Sequence, residues 1–217
     1  MKYLNIISFV ISIVVITACN PKAENESNNK EKKGDDVKVS YIYQNDETFK
    51  TIKKQGAIIV KQTEVALGTA LKNAMAEGGP EYAIDFCNLE ALHITDSMST
   101  DKGVIIKRVA KKNRNPKNET DDIESKIFKQ YVMEYLTGAP LKPRIAVNKD
   151  GHPVYYKIIK TNSMCLTCHG IPGETMSNDL AKKIRELYPE DKAINFEDGH
   201  PRGMWAVTFS KLNINSK

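Results

Sequence analysis

The chain has 217 residues and a formal net charge of +5, with 32 Lys and Arg set against 27 Asp and Glu and both signs mixed along its length. That excess of positive charge is modest, and no nucleic-acid partner is expected. The only basic bunching is at Lys107-Arg108 and Lys111-Lys112-Asn113-Arg114, which reads either as a solvated loop or as cations placed for carboxylates.

The N terminus opens on Met1-Lys2 and an apolar run, Ile6 to Ile16, that ends in Ile16-Thr17-Ala18-Cys19. This is the form of a secretory signal, expected over residues 1–18. The run falls short of the roughly 20 residues a membrane-crossing helix needs. Its ending resembles a bacterial lipobox, which implies cleavage before Cys19 and a lipid on that cysteine; an ordinary signal with an incidental cysteine is the plainer alternative. Both place the mature chain outside the cytoplasm. The lipid makes the membrane a partner and the cell envelope the location, facing the periplasm or the surface. Residues 19–46 are mostly polar and charged as far as Asp36 and are expected to form a tether. One domain over residues 47–213 follows, a normal size for a single core.

Within that domain, Thr48 to Ala76 has apolar residues near helical spacing (Ile52, Ile58, Ile59, Val65, Leu67, Leu71 and Met75), stopping at Gly78-Gly79-Pro80. A second helix is expected from Pro80 to Met98, with an apolar side that includes Ala83, Ile84, Cys87, Leu89 and Leu92. A strand over residues 103–109, a helix from Asp121 to Leu136, and strands at Arg144 to Val147 and Pro153 to Lys160 come next. The turn Asn148-Lys149-Asp150-Gly151 joins the last two. A helix from Ser177 to Tyr188 and a final strand over residues 203–210 complete the list.

Between strand and helix stands Cys165-Leu166-Thr167-Cys168-His169, the CxxCH spacing by which haem is attached covalently. Two thiols form thioethers with the haem vinyl groups and the adjacent imidazole becomes the proximal iron ligand. A zinc half-site lacks a second ligand pair at metal spacing, and a thioredoxin-like pair does not call for the histidine. The predicted cofactor is one covalent haem c. Its late position among strands fits neither small cytochromes c, with CxxCH early, nor four-helix cytochromes c′, with CxxCH in the last helix. An α+β domain with a PAS-like antiparallel sheet and N-terminal helices fits better.

Four separated stretches carry a resemblance. They are Ala83-Ile84-Asp85-Phe86-Cys87-Asn88; Arg108 with Asn113-Arg114-Asn115-Pro116-Lys117-Asn118; Cys165 to Gly170; and Tyr188-Pro189-Glu190-Asp191-Lys192-Ala193 with Gly199 and Arg202-Gly203. Together they resemble the Tll0287-like haem-domain family, over about residues 51–209. The resemblance implies a PAS-like fold, one covalent haem c, an exported location and a role in redox or small-ligand sensing. Two positions depart from it, Asn195 in place of a glycine and His200 in place of an acidic residue.

With Cys19, Cys165 and Cys168 assigned, Cys87 is left over. The resemblance implies that it is the sixth, distal iron ligand opposite His169; taken alone, an unpaired cysteine on an apolar helix side reads equally as a small core residue. Arg108 and Arg114 are candidates for contact with haem propionates. His93, His152 and His200 are weaker rival ligands. Met75, Met98, Met133, Met164, Met176 and Met204 read as core filler, and Trp205 with Tyr155-Tyr156 as sheet packing. With both axial positions filled, no catalytic residue and no enzymatic activity are expected; an open distal site would leave a haem enzyme as a third reading. The alternative to a sensor is a lipid-anchored one-electron carrier of the envelope. With no transmitter domain behind the haem region, a sensor needs a separate redox or signalling protein as partner.

Overall fold

The structure, a computed structural model, describes residues 37–43 and 47–212. The described residues fall within one compact unit. The expected signal segment and Cys19 lie outside the described residues. Among the described residues no helix is long and apolar enough to cross a membrane.

A short strand β1 (Ser40–Tyr41) is followed by the long helix α1 (Glu47–Lys102), strand β2 (Ile105–Val109) and helix α2 (Asp122–Leu136). Then come β3 (Arg144–Val147), β4 (Pro153–Lys160), the short helix α3 (Ser163–His169), α4 (Asn178–Leu187) and β5 (Pro201–Thr208). The five strands form one antiparallel sheet in the order β1-β3-β4-β5-β2. The last strand thus lies between the first long strand and the hairpin. This is the α+β fold expected, an antiparallel sheet with helices packed on it.

Helix α1 is two helices in fact. Gly78 (φ −147°, ψ 21°) and Gly79 (φ 70°, ψ −166°) leave helical geometry, and Gly79 holds a left-handed backbone that favours glycine. Pro80 then opens the second arm, where its missing N–H costs nothing. The break falls where the sequence puts it, and the second arm runs on past the expected end at Met98 to Lys102.

Both sheet faces are covered. On one, Phe49, Ile52, Ile59 and Val60 of the first arm pack on Ile106, Ile145, Tyr155, Trp205 and Val207. On the other, Ile127, Phe128 and Tyr131 of α2 pack on Val109, Ala146, Val154, Tyr156, Met204 and Ala206. The period-2 alternation of β5 therefore delivers Met204 and Ala206 to one face and Trp205 and Val207 to the other. A third cluster joins Ile84 of the second arm to Leu180, Ala181 and Ile184 of α4.

Local signals fix the ends. Asp121 and Glu124 form a capping box at α2, with bonds of 2.8 and 2.9 Å. Ser177 caps α4, its hydroxyl accepting from the Leu180 amide at 3.1 Å. At the β3–β4 turn the Asn148 side chain accepts from the amides of Asp150 (3.0 Å) and His152 (2.9 Å), and Gly151 takes φ 81°.

Several expectations are corrected. Ile58 (49 %) and Val65 (53 %) are exposed, because the buried stripe runs through Ile52, Ile59 and Val60 on another side of the helix. Leu89, Met133 and Met164 are exposed as well, whereas Met176 and Met204 are core. The last strand is Pro201–Thr208 and the second begins at Ile105. The domain also begins before residue 47, since β1 pairs with β3 and Ile42 is buried.

Gly56 marks the closest approach of α1 to the sheet: a Cβ there would lie 2.4 Å from Tyr155 Cγ and 2.8 Å from Tyr155 Cβ. Overpacking against a ring held between helix and sheet costs about 1–3 kcal/mol. Gly56→Ala is therefore expected to lower unfolding stability by that amount in a denaturant titration, despite alanine's better helix propensity.

Candidate functional site

On the first arm of α1, Leu67, at the margin of the sheet core, and then Leu71 and Met75 line a cavity of about 470 Å³, within the usual range for a small-molecule site of roughly 300–1,000 Å³. The second arm supplies Cys87 to its wall, the ends of β2 and β5 supply Arg108, Arg202 and Trp205, and α3 supplies Cys165, Cys168 and His169. The lining is mainly apolar with a few polar groups. At its border with the sheet core, the Glu64 carboxylate accepts from Lys157 Nζ at 3.0 Å and from Trp205 Nε1 at 3.1 Å, which satisfies the buried indole.

The CxxCH segment folds as a helix, and this explains its spacing. Positions i, i+3 and i+4 share one helical face, so Cys165, Cys168 and His169 all stand toward the cavity. Asn162 caps the helix, its side chain accepting from the Cys165 amide at 3.1 Å. Burial pushes the Cys168 thiol up, with Arg114 pulling the other way, and burial likewise raises Cys87 against the pull of Arg108 and Arg114.

His169 is held in a defined state. Its Nδ1 lies 2.7 Å from the Ala193 carbonyl, which only accepts, so Nδ1 carries the proton and Nε2 keeps a free lone pair. Burial, then the guanidinium groups of Arg202 and Arg114, push its pKa well below the ordinary histidine value. The result is a neutral imidazole with one nitrogen available to a metal.

The segment after α4 forms the ledge under this helix. Asp191, 3 % exposed, accepts from Arg114 Nε at 3.2 Å and Nη2 at 3.1 Å through one oxygen, and from the Ala193 amide at 2.8 Å through the other. Arg114 Nη2 also donates to the Cys168 carbonyl at 2.7 Å and the Ala193 carbonyl at 3.3 Å. The amides of Asn195 and Phe196 then bond the carbonyls of Gly170 (2.9 Å) and His169 (3.0 Å). Asn195 sits at φ 60°, the left-handed conformation that explains why a glycine is expected there and why asparagine serves instead. His200 is accommodated too: its Nδ1 accepts from the Glu197 amide at 3.3 Å, and Thr161 pins the loop through bonds to His200 and Gly199.

Sequence reading thus names Cys87, Arg108, Arg114, Cys165, Cys168 and His169, and all six line this one cavity. Their roles differ from expectation in one respect. Arg114 spends its donors on Asp191 and two carbonyls, while Arg108 makes no hydrogen bond or ion pair among the described residues. Arg202, given no role in the sequence reading, stands beside it: its Nη1 donates to the Lys112 carbonyl at 2.9 Å, its buried Nε has no partner, and burial with the neighbouring Arg114 pushes it down to about 10. His93 and His152 are absent from the cavity wall, and so is His200.

Among the described residues no three of His, Cys, Asp or Glu gather around a point where one metal ion would sit. The donors are spread instead around a cavity wall, an arrangement suited to a large group carrying a metal in its middle. The unpartnered Arg108 and Arg202 donors suit carboxylates on that group.

The Tll0287-like family model matches residues 21–210. The crystal structure of the cyanobacterial heme-protein Tll0287 superposes with a TM-score of 0.55 at 21 % identity, covering 74 % of this chain and 95 % of that one. No curated protein matches.

Two outcomes are expected. Asp191→Asn leaves Arg114 buried without its counter-charge and should cost about 3–5 kcal/mol in denaturant unfolding. In the chain alone, His169 stays neutral when folded but takes a proton below about pH 6.5 when unfolded. Its contribution is therefore full above about pH 6.5 and is lost progressively as the pH falls below that value. His169→Gln should lose less stability on acidification below about pH 6.5, measured as the difference between the two denaturation series.

Proposed function

The chain belongs to the Tll0287-like family, and from that premise and the cavity we propose that it is an exported, lipid-anchored haem protein in which one haem c, attached through Cys165 and Cys168 and ligated by His169 and Cys87, serves as a redox or small-ligand sensor. The observation that carries the reading is the neutral imidazole of His169, its Nδ1 engaged by the Ala193 carbonyl, on the wall of the same cavity as Cys165, Cys168 and Cys87. Bound there, haem supplies a one-electron couple and an exchangeable axial position.

The chain's own residues do the rest. Ala193 and the Arg114–Asp191 pair hold the motif helix in place. Arg108 and Arg202 present donors for the propionates. Leu67, Leu71 and Met75 give the cavity an apolar side. Cys87 has a half-buried thiol whose pKa is pushed up by desolvation, so ligation and protonation compete at one sulfur. It rides on an arm that begins at the Gly78-Gly79 break and is tied to α4 by Lys183, which bonds Asp85 at 2.5 Å and the Glu81 carbonyl at 2.8 Å. Release of that sulfur would free the arm to move, a local event with a wider readout. The membrane anchor, through Cys19, and a separate signalling partner belong to the same proposal.

The test is expression with a c-type haem-maturation system. Haem should stay with the polypeptide through denaturing electrophoresis and be lost from the Cys165→Ala/Cys168→Ala variant. The ferric protein should give a low-spin EPR signal with the narrow g-spread of thiolate ligation, replaced by another signal in Cys87→Ser. A spectrum unchanged by Cys87→Ser would remove the distal assignment and favour an electron carrier. Cys19→Ala should leave the membrane fraction.

A further inference from the structure

A second cavity of about 500 Å³ lies behind the first, between the second arm of α1 and the chain that follows β2. One wall is the helical face bearing Asn88, Leu92 and Asp96, at i, i+4 and i+8. The other bears Asn115, Lys117 and Asn118. Arg108, Asn115 and Asn118 line both cavities, so the two sites share a wall of donors.

The polar groups here are unspent. Among the described residues the side chains of Asn88, Arg108, Lys117 and Asn118 make no hydrogen bond or ion pair. Asn115 is engaged, its Oδ1 accepting from the Lys117 amide at 2.9 Å, and the Thr95 hydroxyl donates to the Ala91 carbonyl at 2.8 Å. Lys107, of the same strand as Arg108, lines the cavity as well, and its charge also acts on Glu124. Three cations, Lys107, Arg108 and Lys117, therefore face a single carboxylate, Asp96, which like His93 of the same helix is exposed. Donor groups that fold into a concave wall without protein acceptors mark a site for an anionic ligand. The volume is far larger than one carboxylate group needs, which favours a free small molecule.

We infer that this second cavity binds a small free oxyanion, a carboxylate or phosphate compound held by Arg108, Lys117, Asn88 and Asn118, and that Arg108 couples its occupancy to the first cavity. The anion-binding part stands whether or not the first cavity holds haem; only the coupling rests on the proposed function. A negative charge beside Arg108 would weaken that residue's hold on a carboxylate in the first cavity and change the electrostatic field there.

The probe is inorganic phosphate, titrated into the purified full-length chain at constant ionic strength set with potassium chloride. The expected result is saturable movement of the amide NMR signals of Asn88 and residues 115–118, with at least a tenfold loss of affinity in Lys117→Glu, an exposed position where the fold tolerates change. Shifts that do not saturate, or that Lys117→Glu leaves unchanged, would mean general screening and overturn the site. Absence of any shift would overturn it too, including the case in which cofactor carboxylates already fill the space. The coupling has its own readout: the visible absorption maximum of the loaded protein should move with the same midpoint as the amides. Amide binding without that movement would retain the anion site and overturn the coupling through Arg108.

Discussion

The ion pair of Arg114 with Asp191 is the interaction on which the site depends. Both side chains are nearly inaccessible, at 9 % and 3 %, and taking two charges out of water is offset only when their remaining hydrogen-bonding capacity is also used. Here it is. The carboxylate takes the guanidinium on one oxygen and the Ala193 amide on the other, while Nη2 reaches the carbonyls of Cys168 and Ala193. Three segments far apart in sequence, the loop after β2, the end of α3 and the chain after α4, are thereby fixed against one another. Ala193 is the point where they meet, since its carbonyl receives both Arg114 and His169.

That arrangement governs chemistry as well as position. His169 is neutral because it is buried among cations, and oriented because Ala193 is held still. A metal-binding imidazole requires both properties at once. The cavity exists for a simpler reason. One apolar stripe of the first arm of α1 buries Ile52, Ile59 and Val60 against strands and then carries Leu67, at the margin of that core, and Leu71 to the wall of the cavity. The glycine break turns the chain back and brings Cys87 to the cavity wall.

What the sequence discloses follows the range of the interactions involved. The CxxCH spacing is a property of one helical face, the capping residues Ser177 and Asp121 act within one turn, and the Asn148 turn is self-contained; all are readable locally. Apolar spacing finds α1 but not which side of it is buried: Ile58 and Val65 face solvent because the sheet, hundreds of atoms away in sequence, chooses the side. β1 is two residues long and acquires its identity only by pairing with β3. The ledge residues Asp191 and Ala193 and the donor Arg202 belong to stretches that the resemblance picks out, yet their roles arise from contacts across 77 and 79 residues for Arg114 and 90 for Arg202. Asn195 runs the other way: the expected glycine was a statement about backbone, and the observed φ of 60° satisfies it with a different side chain.

The charge balance of the first cavity ties these threads together. With Arg114 neutralised by Asp191, Arg108 and Arg202 remain as cations without carboxylate partners among the described residues, and Lys112 adds a third nearby, stacked on the Phe196 ring at 4.5 Å. Like charges gathered in a low-dielectric wall repel, and the repulsion is part of what lowers the pKa of Arg202 and Lys112. Such a cluster is tolerable in a fold whose working state includes an anion. A haem carrying two propionates would meet that need with the same group that recruits His169. The cations that keep the imidazole neutral would then be the ones that hold the cofactor's acidic edge. With haem in the cavity, cofactor affinity and imidazole basicity would be coupled through shared residues, and a substitution at Arg108 or Arg202 would alter both the grip on the cofactor and the protonation of His169.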